Sequence, residues 1–367
     1  MQRLKPPFRA DHVGSLLRST VLKEARAKRE QDAITAQDLK AIEDREIAAL
    51  IAKQEAAGLK SITDGEYRRA SWQTDFLVAL DGVESYVGER KFKFQGPQPR
   101  PILLRINKKL GDYVPHPMME HFKFVQSKTN QTAKMTIPSP STLHFRYARD
   151  AVPEAIYPVM DDFYRDLGTT YRKTVRAFAD AGCRYLQLDE VNLAYLCDPN
   201  LRQQVTARGD DADKLIDVYA DMINAAMSDI PSDMAITMHL CRGNFRSTFV
   251  ASGGYEPVAD MLFNKINVHG YFMEYDSERA GGFEPLRFVP KGKTIVLGLV
   301  TSKTGQLESR DVLKRRIEEA AKYVDIDQLA LSPQCGFAST EEGNVLAEDE
   351  QWAKLRMIVE VAEEVWG

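Results

Sequence analysis

Short apolar runs alternate along this chain with longer stretches of helical period. Eight runs read as strands: 8–17, 58–66, 133–141, 183–191, 234–241, 264–275, 293–302 and 328–337. Brief apolar runs bounded by turn residues suit strands buried on both faces. Between most of them, apolar residues recur at helical spacing, over 35–57, 158–182, 211–230, 309–324 and 348–366, with Gly182 as a stop signal. This alternation predicts an α/β fold, a (β/α)8 TIM barrel, with a doubly wound sheet as the competing architecture. Segment 82–132 is rich in Pro, Gly and aromatic residues and too long for an ordinary strand-to-helix connection. It is expected to be an insertion after strand two, a hairpin plus a helix near the barrel mouth, so that 1–367 forms a single barrel domain.

Composition narrows the classes. The chain has 367 residues, 44% apolar and 28% charged, an ordinary globular balance. That length suits two medium domains or one large barrel with insertions. A net charge of -4 offers no field for nucleic acid. The basic, aromatic stretch 91–109 reads as a solvated loop or hairpin rather than an RNA surface. No apolar run approaches the ~20 residues of a membrane span, and the first residues lack a signal-peptide core. Cys183, Cys197, Cys241 and Cys335 are scattered without a disulfide framework, so reduced thiols and a cytoplasmic location are expected.

A barrel gathers its chemistry at the C-terminal ends of its strands. Run one ends near His12 and Ser15, run two in Asp64 and Glu66, and run four in Asp189 and Glu190. Run five ends in His239 and Cys241, run six near His269 and Glu274, and run eight in Cys335. Residues two apart in a strand face one side, so the imidazole of His239 and the thiol of Cys241 point at a common spot. His239, Cys241 and Cys335 with one carboxylate would form a tetrahedral N/S/O set of the kind Zn²⁺ prefers. His269 competes with Glu274 for the fourth place. The plainer reading makes Cys241 and Cys335 small buried core residues.

Two thiolates and a carboxylate leave zinc a weak Lewis acid, better at holding a substrate thiolate than at activating water. The reaction class that follows is S-alkylation of a thiol. Glu66 and Asp189, acceptors only when ionised, can hold a substrate ammonium, with Glu190 as a third candidate. Against this, Glu66 can pair with Arg68 or Arg69, and Asp189 with Glu190 can cap the next loop. Ser15, with Arg18 nearby, can bind a carboxylate, or Ser15 can cap a helix.

The segments HVGSLLR (12–18), ITDGEYRR (62–69), LQLDE (186–190), MHLCRGN (238–244), YFMEYDS (271–277) and LSPQCGF (331–337) resemble, in order, the catalytic barrel of cobalamin-independent methionine synthase. The resemblance implies a (β/α)8 barrel with zinc on His239, Cys241, Glu274 and Cys335. It implies homocysteine held by Ser15, Glu66 and Asp189, and the activity of a 5-methyltetrahydropteroyltriglutamate–homocysteine S-methyltransferase. The full-length enzymes carry a second, N-terminal barrel that is not expected here. Two positions on the methyl-donor side depart from the family pattern. TIPSPSTLH offers His144 where the family has a Trp, and LVTSKTGQ offers Lys303 where it has a His, each a candidate donor-side acid. The donor is therefore open between methyltetrahydrofolate and another methyl carrier. The expected partners are a small thiol and that donor, with no nucleic acid and no membrane, and self-association into a homo-oligomer is left open. The alternatives are an alkyltransferase for another small thiol, similar to epoxyalkane:coenzyme M transferases, and a non-catalytic ligand-binding barrel.

Overall fold

The computed structural model describes residues 3–89, 92–112 and 114–367. Its strands are β1 (Ser61–Ile62), β2 (Val83–Val87), β3 (Ile102–Ile106), β4 (Thr132–Ala133), β5 (Met135–Pro138), β6 (Tyr185–Glu190), β7 (Ala235–Leu240), β8 (Gly270–Glu274), β9 (Thr294–Val300) and β10 (Leu329–Pro333). The fold is α/β. Strands β5 to β10 form a six-stranded parallel sheet in chain order, and β1 pairs in parallel with β4. Nearly every residue of the six strands is buried, as expected where a parallel sheet is covered on both faces. Helices fill the intervals, among them Ala36–Ala56, Met160–Asp180, Ala212–Ala226, Arg310–Ala320 and Glu348–Trp366. Thr35 opens Ala36–Ala56 with a reciprocal capping box to Asp38, and Gly182, at φ +95°, follows the end of Met160–Asp180.

The backbone ladder does not run through all eight expected runs. Run 8–17 contributes one bridge, Ala10 to Leu331 of β10, and run 58–66 shortens to the two residues of β1. The cause is chemical. Run one turns its polar groups inward around Asp11, whose carboxylate accepts from Phe8 N (3.1 Å), His12 N (2.8 Å), Ser61 Oγ (2.7 Å) and Tyr185 OH (2.7 Å). Lys134, between β4 and β5, is fully buried, pairs with Asp11 at 3.3 Å and lies over the Phe272 ring at 4.1 Å. Side chains, with one backbone bond from Leu16 N to Gly65 O at 3.1 Å, thus join runs one and two. His12 belongs to this network. Its Nε2 meets Ser61 O at 3.0 Å, and burial, with Lys134 adding to it, pushes the ring down to about 4, so it is neutral and structural.

Segment 82–132 splits in two. Strands β2 and β3 pair as an antiparallel hairpin, whereas helix Met118–Gln126 packs against Ala36–Ala56, Met160–Asp180 and β4, in the ordinary outer layer. Residues from the hairpin connection cross to the loop after β7, where Gln95 N donates to Phe249 O at 2.9 Å.

Candidate active site

Parallel register builds the site. Asp189 of β6 stands opposite His239 of β7, and Leu240 opposite Met273 of β8. The next step outward brings Cys241 beside Glu274, and Cys335 follows two residues after β10. One ligand atom from each of His239, Cys241, Glu274 and Cys335 lies within 4.8 Å of all the others, and all four residues are buried. The Cys241 and Cys335 sulfurs are 3.5 Å apart. Two thiolates on one tetrahedral zinc, at bonds of about 2.3 Å, would stand about 3.8 Å apart. Neither ring nitrogen of His239 has a hydrogen-bond partner, although both are buried, a costly arrangement unless something binds there. The four residues therefore fit a zinc ion.

The surrounding groups orient them. Glu274 Oε1 accepts from Arg242 N at 2.8 Å and Oε2 from Arg279 at 3.0 Å, and Gly243 N donates to the Cys241 sulfur at 3.3 Å. Hydrogen bonding from Cys241, with the charge of nearby His239, holds the Cys335 thiol well below its usual range, and the same bond raises Cys241 in turn. Gly298 of β9 lies opposite Glu274, and a Cβ there would sit 2.8 Å from both Gln334 Cα and Met273 O.

Ser15, Glu66 and Asp189 line one pocket with His239, Cys241 and Cys335. It encloses about 430 Å³ of empty space, its open mouth included. Glu66 sits at φ +63°, directly after Gly65 at φ +63°, a left-handed pair that a non-glycine residue adopts only at a cost of about 1–3 kcal/mol. The Asp64 carboxylate holds the turn by accepting from Glu66 N at 2.8 Å. Glu66 Oε1 meets Thr136 Oγ1 at 3.2 Å and Arg69 at 3.5 Å, while its buried Oε2 has no partner. Burial pushes Glu66 up to about 7, against Arg69 and with Asp189. Burial likewise pushes Asp189 up to about 6, against His239 and the Gln187 hydrogen bond. Two buried carboxylates that resist ionisation are poised for a cation. Ser15 Oγ accepts from Ala338 N at 3.4 Å and caps no helix, since Ser19 caps Thr20–Glu30.

A family model described as the cobalamin-independent synthase catalytic domain matches residues 8–364. The chain belongs to this family. The uncharacterized protein YxjH of Bacillus subtilis is 48% identical over 364 residues, covering 99% of this chain and 96% of its own length. A Listeria monocytogenes crystal structure, carrying the provisional name vitamin-B12 independent methionine synthase, is 41% identical, covers both chains fully and superposes with a TM-score of 0.79. The methionine synthase of Pyrococcus abyssi is 26% identical over 84% of this chain and 80% of its own.

Within this synthase domain, several expected residues lie elsewhere. His269 is exposed at the start of β8, its Nδ1 against the Ile236 backbone, at the opposite end of the strand from Glu274. Arg18 is buried and donates to the carbonyls of Leu16, Gly65, Ala338 and Arg69, which ties runs one, two and eight together and leaves no fork for a substrate. Glu190 accepts from Asn192 N, Leu193 N and Ser141 Oγ, the loop-capping alternative. His144 is buried away from the pocket, with Nδ1 2.7 Å from Tyr219 OH and Nε2 3.1 Å from Tyr164 OH, and burial takes it down to about 3. Lys303 does not line the pocket itself, but its Nζ is 3.4 Å from Oδ1 of Asn244, which does.

The pocket also contains residues that the strand-end reading passed over: Trp72, Phe94, Arg146 and Asn244. They sit several residues along the loops or on the hairpin connection. A search of each strand's following loop, rather than its last residues, would have reached Trp72, Arg146 and Asn244. No helix among the described residues is long and apolar enough to cross a membrane.

Proposed function

We propose that this chain is a zinc-dependent methyltransferase that converts homocysteine to methionine on a (β/α)8 barrel closed between its first two runs mainly by side chains. The observation that carries the reading is the convergence of His239, Cys241 and Cys335 with two reluctant carboxylates, Glu66 and Asp189, in one pocket, with Glu274 completing the zinc-type ligand group. His239, Cys241, Glu274 and Cys335 would hold the ion. A zinc ion there would supply the positive charge that keeps a substrate thiol deprotonated at neutral pH. Glu66 and Asp189 would take the ammonium, and Ser15 would contribute a hydroxyl toward the carboxylate. With the amino acid fixed at that end, its sulfur attacks the methyl carbon, forming the new C–S bond as the bond to the donor breaks. Phe94 and its hairpin connection at the mouth favour exclusion of water. Lys303 is the candidate for protonating the donor's leaving group, whereas His144, with both nitrogens engaged by tyrosines, is a poor one. A sulfonate thiol without an amine, such as coenzyme M, would leave Glu66 and Asp189 unpaired, which disfavours the transferase alternative. Four buried free cysteines suit a reducing compartment such as the cytoplasm.

The test is metal analysis followed by a donor screen. Purified protein should contain about one zinc per chain, lost in Cys335→Ser. It should form methionine from homocysteine with one of methyltetrahydrofolate, a methylated corrinoid or a small methylated metabolite. A metal-free, inactive wild type reconstituted with zinc and still inert toward homocysteine defeats the proposal.

A further inference from the structure

We propose that Arg146 is the carboxylate receptor of the pocket. The inference rests on the thiol-transfer reading above and adds a residue to it. A zwitterionic amino acid brings a carboxylate as well as an ammonium and a thiol. The pocket faces it with Glu66, Asp189 and a ligand set holding two cysteines and Glu274, so negative charge predominates. Taking a carboxylate into such a site without a cation would be costly.

The other nearby guanidinium groups are engaged. Arg18 donates to four backbone carbonyls, and Arg69 to Thr136 O, Thr136 Oγ1 and Trp72 O. Arg242 is bound to Gly253 O and Tyr255 OH, and Arg279 to Glu274. Arg146 differs from all of them. It lines the pocket with Ser15 and Asp189, is only 9% exposed, and makes no hydrogen bond or ion pair among the described residues, and its Nε is buried without a partner. Its guanidinium carbon lies 5.8 Å from the Trp72 ring centre, and Trp72 N is fixed to Ser339 O at 3.0 Å. A guanidinium set over an indole keeps its fork edge free for a bidentate carboxylate. A buried, unpaired guanidinium facing a cavity is expensive unless an anion completes it.

The carboxylate can come from the acceptor or from an anionic methyl donor, and the acceptor is the first assignment because the neighbouring groups suit its other ends. The experiment titrates zinc-loaded wild type, Arg146→Met and Arg146→Lys by calorimetry with two ligand pairs. Homocysteine is compared with 3-aminopropane-1-thiol, and methionine with 3-(methylthio)propylamine, each pair differing only in the carboxylate. Wild type should prefer the carboxylate member by about 10- to 100-fold. Arg146→Met should lose that preference while keeping its affinity for the amines, and Arg146→Lys should keep part of it. The methionine pair contains no thiol, so its outcome stands even where thiol activation fails, and failure of the thiol pair alone to bind the zinc-loaded protein counts against that earlier reading. If the preference survives in Arg146→Met, titration with 5-methyltetrahydrofolate decides the source. Weakening there assigns the carboxylate to the donor. An unchanged result in both arms, or no carboxylate preference in wild type, overturns the proposal.

Discussion

The two walls of the pocket are built differently. On the side of the candidate metal ligands, β7, β8 and β10 belong to one parallel sheet whose register shifts between Ser332 and Pro333, and His239, Cys241, Glu274 and Cys335 stand on or just beyond its strands. On the side proposed for the amino acid, Asp189 still belongs to the sheet, but Ser15 and Glu66 stand on runs that scarcely pair as strands, held by Asp11, Arg18 and a left-handed turn at Gly65 and Glu66. Backbone ladders fix a ligand geometry with little local strain. Side-chain networks can hold a carboxylate where the fold would rather not have one, and that reluctance suits a group waiting for a substrate cation. The metal wall should therefore be stable and intolerant, and the ammonium wall strained and tunable.

The largest break in this contrast should come from Cys335→Ser. Removing a ligand should abolish zinc retention and activity, beyond the about 10–100-fold that loss of an outer partner costs, as read by metal analysis and turnover. Arg279→Met, which frees Glu274 Oε2 and the Asp276 carboxylate, should weaken zinc by about 10–100-fold in a chelator competition and leave the fold intact. Asp189→Asn should lower kcat/KM for homocysteine by about 10- to 100-fold with zinc content unchanged, because one of two charge-assisted contacts to the ammonium is lost. Gly65→Ala should destabilise by about 1–3 kcal/mol in urea titrations, since its Cβ would lie 2.4 Å from Leu50 Cδ2 at a positive φ.

The smallest effect sharpens the comparison most. Burial raises Glu66 above its unfolded value of 4.5 to about 7, so the folded state binds that proton more tightly. The corresponding stability is present below pH 4.5 and lost as pH rises through about 7. Glu66→Gln should raise the Tm by about 1–3 °C at pH 8 and by nothing near pH 4, while acceptor affinity falls. In wild type, homocysteine affinity should drop as pH falls below about 7, because protonated Glu66 no longer attracts the ammonium. An unchanged Tm in Glu66→Gln at pH 8 would place no strain on this wall.

How much of this was legible in the sequence follows the same division. His239, Cys241 and Cys335 could be read because period-two spacing in ITMHLC and the ends of continuous apolar runs carry through directly into a parallel sheet, whereas Glu274 was chosen over His269 by the family resemblance. The six strands β5 to β10 were legible for the same reason. Run 8–17 was not, because Asp11 and His12 satisfy backbone and side chains locally and the segment needs no ladder. Arg18 looked like a carboxylate ligand because sequence shows charge but not the four carbonyls waiting for it. Arg146 went unseen for the opposite reason: it lies beyond the strand end, and its lack of a partner is a property only of the folded chain. His144 sat at the right place along the strand-three loop, yet the aromatic cluster of Tyr164 and Tyr219 turned it away.

The bare position at Gly298 has a consequence for how this protein can change over generations. Any side chain there would meet the backbone of the strand carrying Glu274 on one flank and the approach to Cys335 on the other. A single mutation would then displace two of the proposed ligands from opposite neighbours at once. Variation in a lineage that keeps this ligand group should thus flow around codon 298, into the hairpin and the loops that line the pocket.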